Sequence, residues 1–188
     1  MIFEATPVRG AYVVKLERHA DERGFFARTF CVDEFTRAGL VTAEFVQQSL
    51  AHNVRRGILR GMHLQIAPHA EAKYIRCVRG GIFDAIFDVR PDSPSYRTSF
   101  AIELNAERGD ALFIPPGCAH GYQALEDNTD VLYAMSSRYA PDAARSIRWD
   151  DPEVGIAWPI RPPLLSGSDA SAPLLRDFLA ATYGLEQV

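Results

Sequence analysis

Short apolar runs separated by turn residues fill most of the chain between residues 8 and 135. Several runs alternate apolar and polar side chains, and Gly, Pro, Asp or Ser residues interrupt them at short intervals. This pattern is typical of strands in sandwiches and barrels. We therefore predict an all-β chain, an antiparallel β-sandwich or jelly roll, with strands at residues 11–16, 73–78, 82–89, 98–104, 111–114, 121–125 and 130–135. Short helices are expected at residues 32–39 and 172–184.

Composition limits the classes of protein that the chain can represent. Its 188 residues, 47% of them hydrophobic, suit one domain, predicted to span residues 1–188. The net charge of -4 provides no basic stripe, which argues against nucleic acid as a partner. Three cysteines without close spacing argue against a disulfide framework or a zinc site. No signal peptide or membrane span is evident, so we expect a cytoplasmic protein without a membrane partner.

One segment resembles a metal-binding motif of the cupin β-barrels. Gly109 to His120 fits the spacing G-x5-P-x-G-x2-H, and Gly57 to His63 resembles the companion segment. In a metal-binding cupin a second His and a Glu would follow, but Gln65 and Lys73 stand at those positions. An ammonium group offers no lone pair to a metal ion. The sequence therefore predicts a cupin-type barrel whose pocket has lost its metal.

The remaining pocket residues suggest carbanion chemistry. His63 provides a base and His120 a second imidazole, while Lys73 provides a fixed cation. Such a set suits removal of a proton from a carbon next to a carbonyl group, with the cation stabilising the enolate oxygen. A metal-dependent cupin oxygenase or isomerase is the competing class. It would purify with iron, zinc or manganese, and Gln65 and Lys73 argue against it.

A wider set of segments resembles the dTDP-4-dehydrorhamnose 3,5-epimerase family. They lie in the same order along nearly the whole chain: residues 21–26, 57–65, 115–121, 139–141, 147–152 and 165–169, together with Lys73 and Tyr133. The resemblance implies a metal-independent cupin-fold homodimer without a cofactor. It also implies a substrate in which a nucleoside diphosphate carries a 4-keto-6-deoxyhexose, with inversion at C3, C5 or both.

The resemblance assigns roles to four catalytic residues. His63 would be the base, and Asp169 would orient its ring and stabilise the imidazolium. Lys73 would stabilise the enolate oxygen, and Tyr133 would return a proton from the opposite face of the sugar. Asp169 could otherwise be a simple turn former, and Tyr133 a core residue.

Six further residues would bind the substrate. Arg23 and Arg60 match arginines that contact the pyrophosphate, because a guanidinium binds phosphate in a bidentate manner. Gln48 matches a residue that contacts the nucleobase, Tyr139 and Phe26 form an aromatic wall, and His120 contacts the sugar.

The chain departs from the common family pattern at four positions: Arg28, Leu50, Ala134 and Ala144. Several of them resemble the nucleotide end of the pocket, so the base that the enzyme recognises stays open. The same acid and base residues would serve an enzyme that acts at C3 alone, or a ketoisomerase. A sugar-nucleotide binding module without activity is a third class, but it would need no proton donor such as Tyr133.

Overall fold

The structure is a computed structural model that describes residues 1–40 and 44–184. Its strands, in chain order, are β1 (Ile2–Ala5), β2 (Tyr12–Lys15), β3 (His19–Asp21), β4 (Gly24–Phe26), β5 (Gln47–Asn53), β6 (Leu59–Gln65), β7 (Lys73–Arg79), β8 (Gly81–Asp88), β9 (Ser99–Asn105), β10 (Ala111–Ile114), β11 (Cys118–Ala124), β12 (Thr129–Met135) and β13 (Ala144–Ser146). The helices are α1 (Val32–Arg37), α2 (Gly167–Ala170) and α3 (Leu175–Tyr183), and a 3₁₀ turn spans Pro141–Ala143.

Two antiparallel sheets carry most of the strands. The six-stranded sheet has the order β1-β2-β10-β7-β12-β5, and the five-stranded sheet has the order β13-β6-β11-β8-β9. Strands β3 and β4 form a separate hairpin. Neighbours in each large sheet are often distant in sequence, as expected for a jelly roll. The predicted fold class, an all-β cupin-type sandwich with short helices, is confirmed.

The period-two alternation of the strands directs one row of side chains into the space between the sheets. Ile75 of β7 and Val131 of β12 meet Ile82 and Ile86 of β8 there in one buried cluster. Polar residues occupy the same inward rows. Lys73, for example, lies two positions before Ile75 and therefore faces the interior too. The strand pattern that builds the core thus also directs charged groups inward.

Other segments cover the outer faces of the sheets. Helix α3 and the chain before it pack on the five-stranded sheet, where Trp158, Leu175 and Phe178 join side chains from β6, β8 and β11. Helix α1 packs on the six-stranded sheet through Phe35, which is 1% exposed and meets the ring of Tyr74 edge to face. No helix within residues 1–40 and 44–184 is long and apolar enough to cross a membrane.

The predicted strands at residues 73–78, 82–89, 98–104, 111–114 and 130–135 correspond to β7, β8, β9, β10 and β12. The two predicted helices correspond to α1 and α3. Strands β5 and β6 were not predicted, because β5 reads Gln-Gln-Ser-Leu-Ala-His-Asn and β6 contains a glycine and a histidine. Their pairing with β12 and β11 makes them strands. Tertiary pairing therefore overrides a weak local preference in these two segments.

Candidate active site

A cleft of about 500 Å³ opens between the two sheets, next to the edge strand β5 and helix α2. Its walls include six of the residues predicted from the sequence: Arg60, His63, Lys73, Tyr133, Tyr139 and Asp169. His63 comes from the five-stranded sheet, whereas Lys73 and Tyr133 come from the six-stranded sheet. The fold thus places the predicted base and the predicted acid on opposite sheets of one cavity.

His63 forms a dyad with Asp169. Nε2 of His63 lies 2.5 Å from Oδ1 of Asp169, and the carboxylate is almost fully buried. Ser166 caps helix α2 by accepting a hydrogen bond from the backbone N of Asp169, and its hydroxyl donates to Oδ2 at 2.8 Å. Desolvation raises the pKa of Asp169, but the hydrogen bonds from His63 and Ser166 outweigh it and lower that pKa below its usual value. Asp169 is therefore ionised and holds the ring.

Lys73 lies on the floor of the cleft, with 8% of its surface exposed. Nζ donates a hydrogen bond to the carbonyl oxygen of His63 at 3.2 Å and lies 3.5 Å from Oε1 of Glu71. Desolvation outweighs the negative charges of Glu71 and Asp84, so the pKa of Lys73 lies below its usual value. The surrounding carboxylates nevertheless help to keep the ammonium charged where water is largely excluded.

Tyr133 projects inward from β12 and is partly buried. Desolvation raises the pKa of its phenol well above the usual value, and the neighbouring phenol of Tyr122 adds to the effect. Tyr133 is therefore protonated at neutral pH and is able to donate. Its ring packs edge to face against His120, with the centroids 6.0 Å apart.

His120 lies beneath the cleft wall and does not line the cavity, which differs from its predicted contact with the sugar. Its side chain is 3% exposed, and Nε2 lies 2.6 Å from Oδ1 of Asp84. Desolvation lowers the pKa of His120, and the charge of Asp84 opposes this effect. The cross-strand register pairs His120 with His63, so the two imidazoles occupy neighbouring strands at the same level of the barrel.

Arg60 and Tyr139 lie at the mouth of the cleft. Nε of Arg60 donates to Oδ1 of Asn53 at 3.1 Å, which holds the guanidinium beside β5. The ring of Tyr139 is largely exposed, and its backbone N donates to Oε1 of Gln47 at 3.2 Å. This end of the cavity therefore offers a cation and an aromatic face, as the binding of a nucleotide requires.

Comparisons with known proteins agree with this geometry. The dTDP-4-dehydrorhamnose 3,5-epimerase family profile matches residues 5–177. The dTDP-4-dehydrorhamnose 3,5-epimerase of Sinorhizobium fredii is 34% identical over 176 residues, covering 93% of this chain and 90% of the relative. The chain belongs to the dTDP-4-dehydrorhamnose 3,5-epimerase family.

The chain is also similar to two further epimerases. The dTDP-4-dehydrorhamnose 3-epimerase of Streptomyces niveus is 35% identical over 170 residues, covering 90% of this chain and 82% of the relative. The crystal structure of dTDP-6-deoxy-D-glucose-3,5-epimerase from Legionella pneumophila, in complex with dTDP-4-keto-L-rhamnose, has a TM-score of 0.89 at 29% identity. That match covers 100% of this chain and 98% of the other. Epimerases are isomerases, so family membership confirms the predicted enzyme class.

The structure leaves Arg23 and Phe26 of the predicted epimerase site outside the cleft. Both lie on the β3–β4 hairpin, where Phe26 is 76% exposed and the Arg23 side chain pairs with Asp21. The hairpin instead lines shallow surface cavities with neighbouring residues of the N-terminal segment.

The prediction for Gln48 needs a correction. Gln48 points to the outer face of the six-stranded sheet and lines a separate cavity with Phe45 and Tyr74. Gln47 and Ser49 face the cleft instead. Successive side chains of a strand point to opposite faces, so a shift of one residue moves a side chain across the sheet. Gln47 is therefore the glutamine of the candidate site.

Other cleft residues were missed by sequence reasoning. They are Gln47, Ser49, Ala51, Glu71, Met135, Ser166 and Ser168. Glu71 lies two positions before Lys73 and therefore on the same side of the chain, which is a signal that the sequence offered. Ser166 caps helix α2 and Ser168 lies in its first turn, within the segment 165–169 that resembles the family.

The positions where the chain departs from the family pattern have ordinary structural surroundings. Arg28 pairs with Glu34 at 2.8 Å. Leu50 is 63% exposed, and the buried Ala134 lies on the outer face of the sheet. Ala144 begins β13 and pairs with Gln65 of β6.

Gln65, which replaces a cupin metal ligand, has a structural role. Its Nε2 donates to the carbonyl oxygens of His69 at 3.0 Å and Arg138 at 3.2 Å, and its Oε1 accepts from the backbone N of Ala140 at 2.6 Å. These bonds hold the loop that carries Tyr139. Within the described part of the chain, no group of three or more His, Cys, Asp or Glu side chains is arranged to hold a metal ion.

Proposed function

We propose that the protein is an epimerase that inverts C3 and C5 of a dTDP-linked 4-keto-6-deoxyhexose through an enolate. The observation that carries the proposal is the arrangement of the cleft. The His63–Asp169 dyad lies on one sheet, and Tyr133 and Lys73 lie on the other. A substrate ring between the sheets would have a base on one face and an acid on the other.

Each inversion would proceed in two steps. Nδ1 of His63, the ring nitrogen that Asp169 does not engage, removes the proton from the carbon next to the keto group. The electron pair of that C–H bond moves onto the keto oxygen, where the ammonium of Lys73 stabilises the negative charge. Tyr133 then donates its proton to the opposite face of the carbon. Exchange with water returns a proton to Tyr133 and removes one from His63.

The nucleoside diphosphate would occupy the outer end of the cleft. Arg60 provides a cation for the pyrophosphate, and the exposed ring of Tyr139 provides a stacking surface for the base. Gln47 has its amide at the same end of the cavity. The complex of the Legionella pneumophila relative with dTDP-4-keto-L-rhamnose supports thymidine as the base.

Inversion at C3 alone is the second candidate. The relative from Streptomyces niveus that is named a 3-epimerase supports it. Both candidates use the same acid and base, so the ring hydrogens that exchange decide between them.

Incubation with dTDP-4-keto-6-deoxyglucose in D₂O, followed by NMR, tests the proposal. We expect deuterium at C3 and C5 together with inverted product, whereas deuterium at C3 alone would identify the second candidate. The same incubation with the CDP and GDP analogues shows which nucleobase the enzyme accepts. His63→Ala and Tyr133→Phe should abolish inversion while nucleotide affinity changes little. A wild-type protein that neither exchanges nor inverts would disprove the proposal, and a variant with near wild-type rate would remove the role of that residue.

We also propose that the protein acts as a homodimer in the cytoplasm, with each hairpin reaching the partner's cleft. The β3–β4 hairpin exposes Phe25, Phe26 and Arg23, the last two being predicted substrate contacts that lie outside their own cleft. Leu50 on the outer side of β5 and Val46, just before this strand, are also exposed. Exposed apolar side chains of this kind are typical of interfaces. The buried free thiols of Cys77 and Cys118 suit a reducing compartment.

Mixing two inactive variants tests the exchange of hairpins. In a hybrid of Arg23→Ala with His63→Ala, one cleft combines an intact His63 with an intact Arg23 from the other subunit. We expect the mixture to regain activity at low substrate concentration after the subunits have exchanged. Activity no higher than that of the separate variants would disprove the arrangement, and sedimentation would report the oligomeric state itself.

A further inference from the structure

Tyr122 is a second phenol directly behind Tyr133, and it is not among the predicted site residues. It projects from β11 into the space between the sheets and is fully buried. The ring centroids of Tyr122 and Tyr133 are 6.2 Å apart. Tyr122 does not line the cleft, so any effect on the reaction acts through a neighbouring residue such as Tyr133.

The hydroxyl of Tyr122 belongs to a fixed hydrogen-bond network. It donates to Oδ1 of Asn53 at 3.0 Å, and the same oxygen accepts Nε of Arg60 at 3.1 Å. Nδ2 of Asn53 donates to the carbonyl oxygen of Thr129 at 3.1 Å, which fixes the orientation of the amide. Because its own hydrogen points to Asn53, the oxygen of Tyr122 presents its lone pairs to other donors nearby.

Proton donation by Tyr133 leaves a phenolate in a poorly hydrated place. Desolvation is the main reason that the pKa of Tyr133 is raised, and the nearby phenol of Tyr122 is a further one. A buried anion without a donor is costly. The phenol of Tyr122 is a neighbouring group whose hydrogen can turn from one side of the C–O bond to the other.

We propose that Tyr122 is a positioning residue for Tyr133. In the resting enzyme its ring packs against that of Tyr133 and its O–H is held by Asn53. After Tyr133 has protonated the carbanion, Tyr122 turns this O–H from Asn53 to the phenolate oxygen. The only covalent changes are loss of the Tyr133 O–H bond and formation of the C–H bond, because Tyr122 keeps its hydrogen. Asn53 keeps the hydrogen bond from Arg60 meanwhile. This inference rests on the proposed epimerase function.

Tyr122 should affect protonation of the carbanion but not its formation. Removal of a proton by His63 does not involve Tyr122, whereas protonation of the opposite face does. In Tyr122→Phe we therefore expect inversion to slow by about 10- to 100-fold, since one hydrogen-bond donor to a developing anion is lost. Exchange of the ring hydrogen with D₂O in the unconverted substrate should continue within about threefold of the wild-type rate, and KM should be unchanged.

Tyr74→Phe is the matched control. Tyr74 is also buried, and its hydroxyl also donates a hydrogen bond, to the carbonyl oxygen of Thr29 at 2.8 Å, but it lies on the outer face of the sheet. Its loss should lower thermal stability and leave the ratio of inversion to exchange at the wild-type value. A purely structural role of Tyr122 predicts the same behaviour for both variants.

Asn53→Asp provides a second variant if Tyr122→Phe does not fold. A carboxylate accepts the Tyr122 hydrogen more strongly than an amide does and thus competes with the Tyr133 phenolate. The ratio of inversion to exchange should therefore fall, as it should in Tyr122→Phe. A wild-type ratio in either folded variant would overturn the inference. Failure of the wild-type protein to exchange or invert would instead overturn the proposed function, so the two failures are distinguishable.

Discussion

Nζ of Lys73 and Oε1 of Glu71 are 3.5 Å apart at the floor of the cleft, and both side chains are only 10% exposed. Desolvation lowers the pKa of Lys73, and the charge of Glu71 opposes that effect most strongly. The carboxylate is therefore the main group that keeps the ammonium protonated. In the proposed mechanism the enolate needs the charged form, so we expect the protonation state of this pair to limit activity at high pH.

Glu71→Gln should move the alkaline limb of the kcat/KM profile to lower pH. The ammonium is present below its pKa and is lost as the pH rises through it. Removal of the negative charge lowers that pKa further, so activity is lost sooner. Rates measured across the alkaline range test this, with the exposed Glu107→Gln as the control. An unchanged or upward-shifted limb in Glu71→Gln would contradict the expectation.

Asp169→Asn should lower kcat by about 10²- to 10⁴-fold with little change in KM, because a neutral amide neither fixes the tautomer of His63 nor stabilises the imidazolium. Steady-state rates on the dTDP substrate measure the loss. The exposed Asp177→Asn in α3 is the control and should behave as wild type. A kcat within threefold of wild type would show that the short His63–Asp169 contact has no catalytic role.

Gln47→Ala should raise KM by about 3- to 10-fold, the effect of losing one neutral hydrogen bond. Its amide faces the cleft and accepts the backbone N–H of Tyr139, so both direct contact with the nucleotide and the position of the ring are affected. Gln48→Ala is the matched control, because its side chain lies on the outer face. The opposite result, with only Gln48→Ala raising KM, would restore the prediction made from the sequence.

Gly61→Ala should lower the free energy of unfolding by about 3 kcal/mol or more. Strands β6 and β11 approach closely here, and an added Cβ would lie 2.4 Å from Cα of Gly121. The φ angle of 139° also disfavours any L side chain. Thermal or urea unfolding measures the loss. Gly167→Ala is the control, since nothing lies within 4 Å of its added Cβ, and an equal stability of both variants would show that β6 is able to shift.

Much of the fold could be predicted from the sequence where the local pattern and the tertiary environment agree. β7, β8, β10 and β12 alternate or are uniformly apolar because they form the core between the sheets. β5 could not be predicted, because it lies at a sheet edge and carries mostly polar side chains. β5 is a strand because it pairs with β12, and the local sequence of β5 does not indicate this pairing.

The candidate site, like the fold, could be predicted only in part from the sequence. His63 and Lys73 were predicted from the cupin spacing, and Tyr133 and Asp169 from the family resemblance. The structure brings all four into one cavity. The choice between Gln47 and Gln48 depends on which face of β5 meets the interior, and a motif does not report a one-residue shift. Contacts between separate strands, such as the one between Tyr122 and Asn53, arise only from packing.

The proposed base, His63, and the proposed acid, Tyr133, are carried by different sheets, and packed sheets lie about 10 Å apart. The hydrophobic layer formed by Ile75, Ile86 and Val131 therefore acts as a spacer that sets how thick a ring the cleft accepts. Exchanging one of these side chains for a larger or smaller one changes that thickness without altering a reacting atom. In the proposed epimerase we therefore expect tolerance for bulkier sugars to depend partly on residues that do not line the cleft.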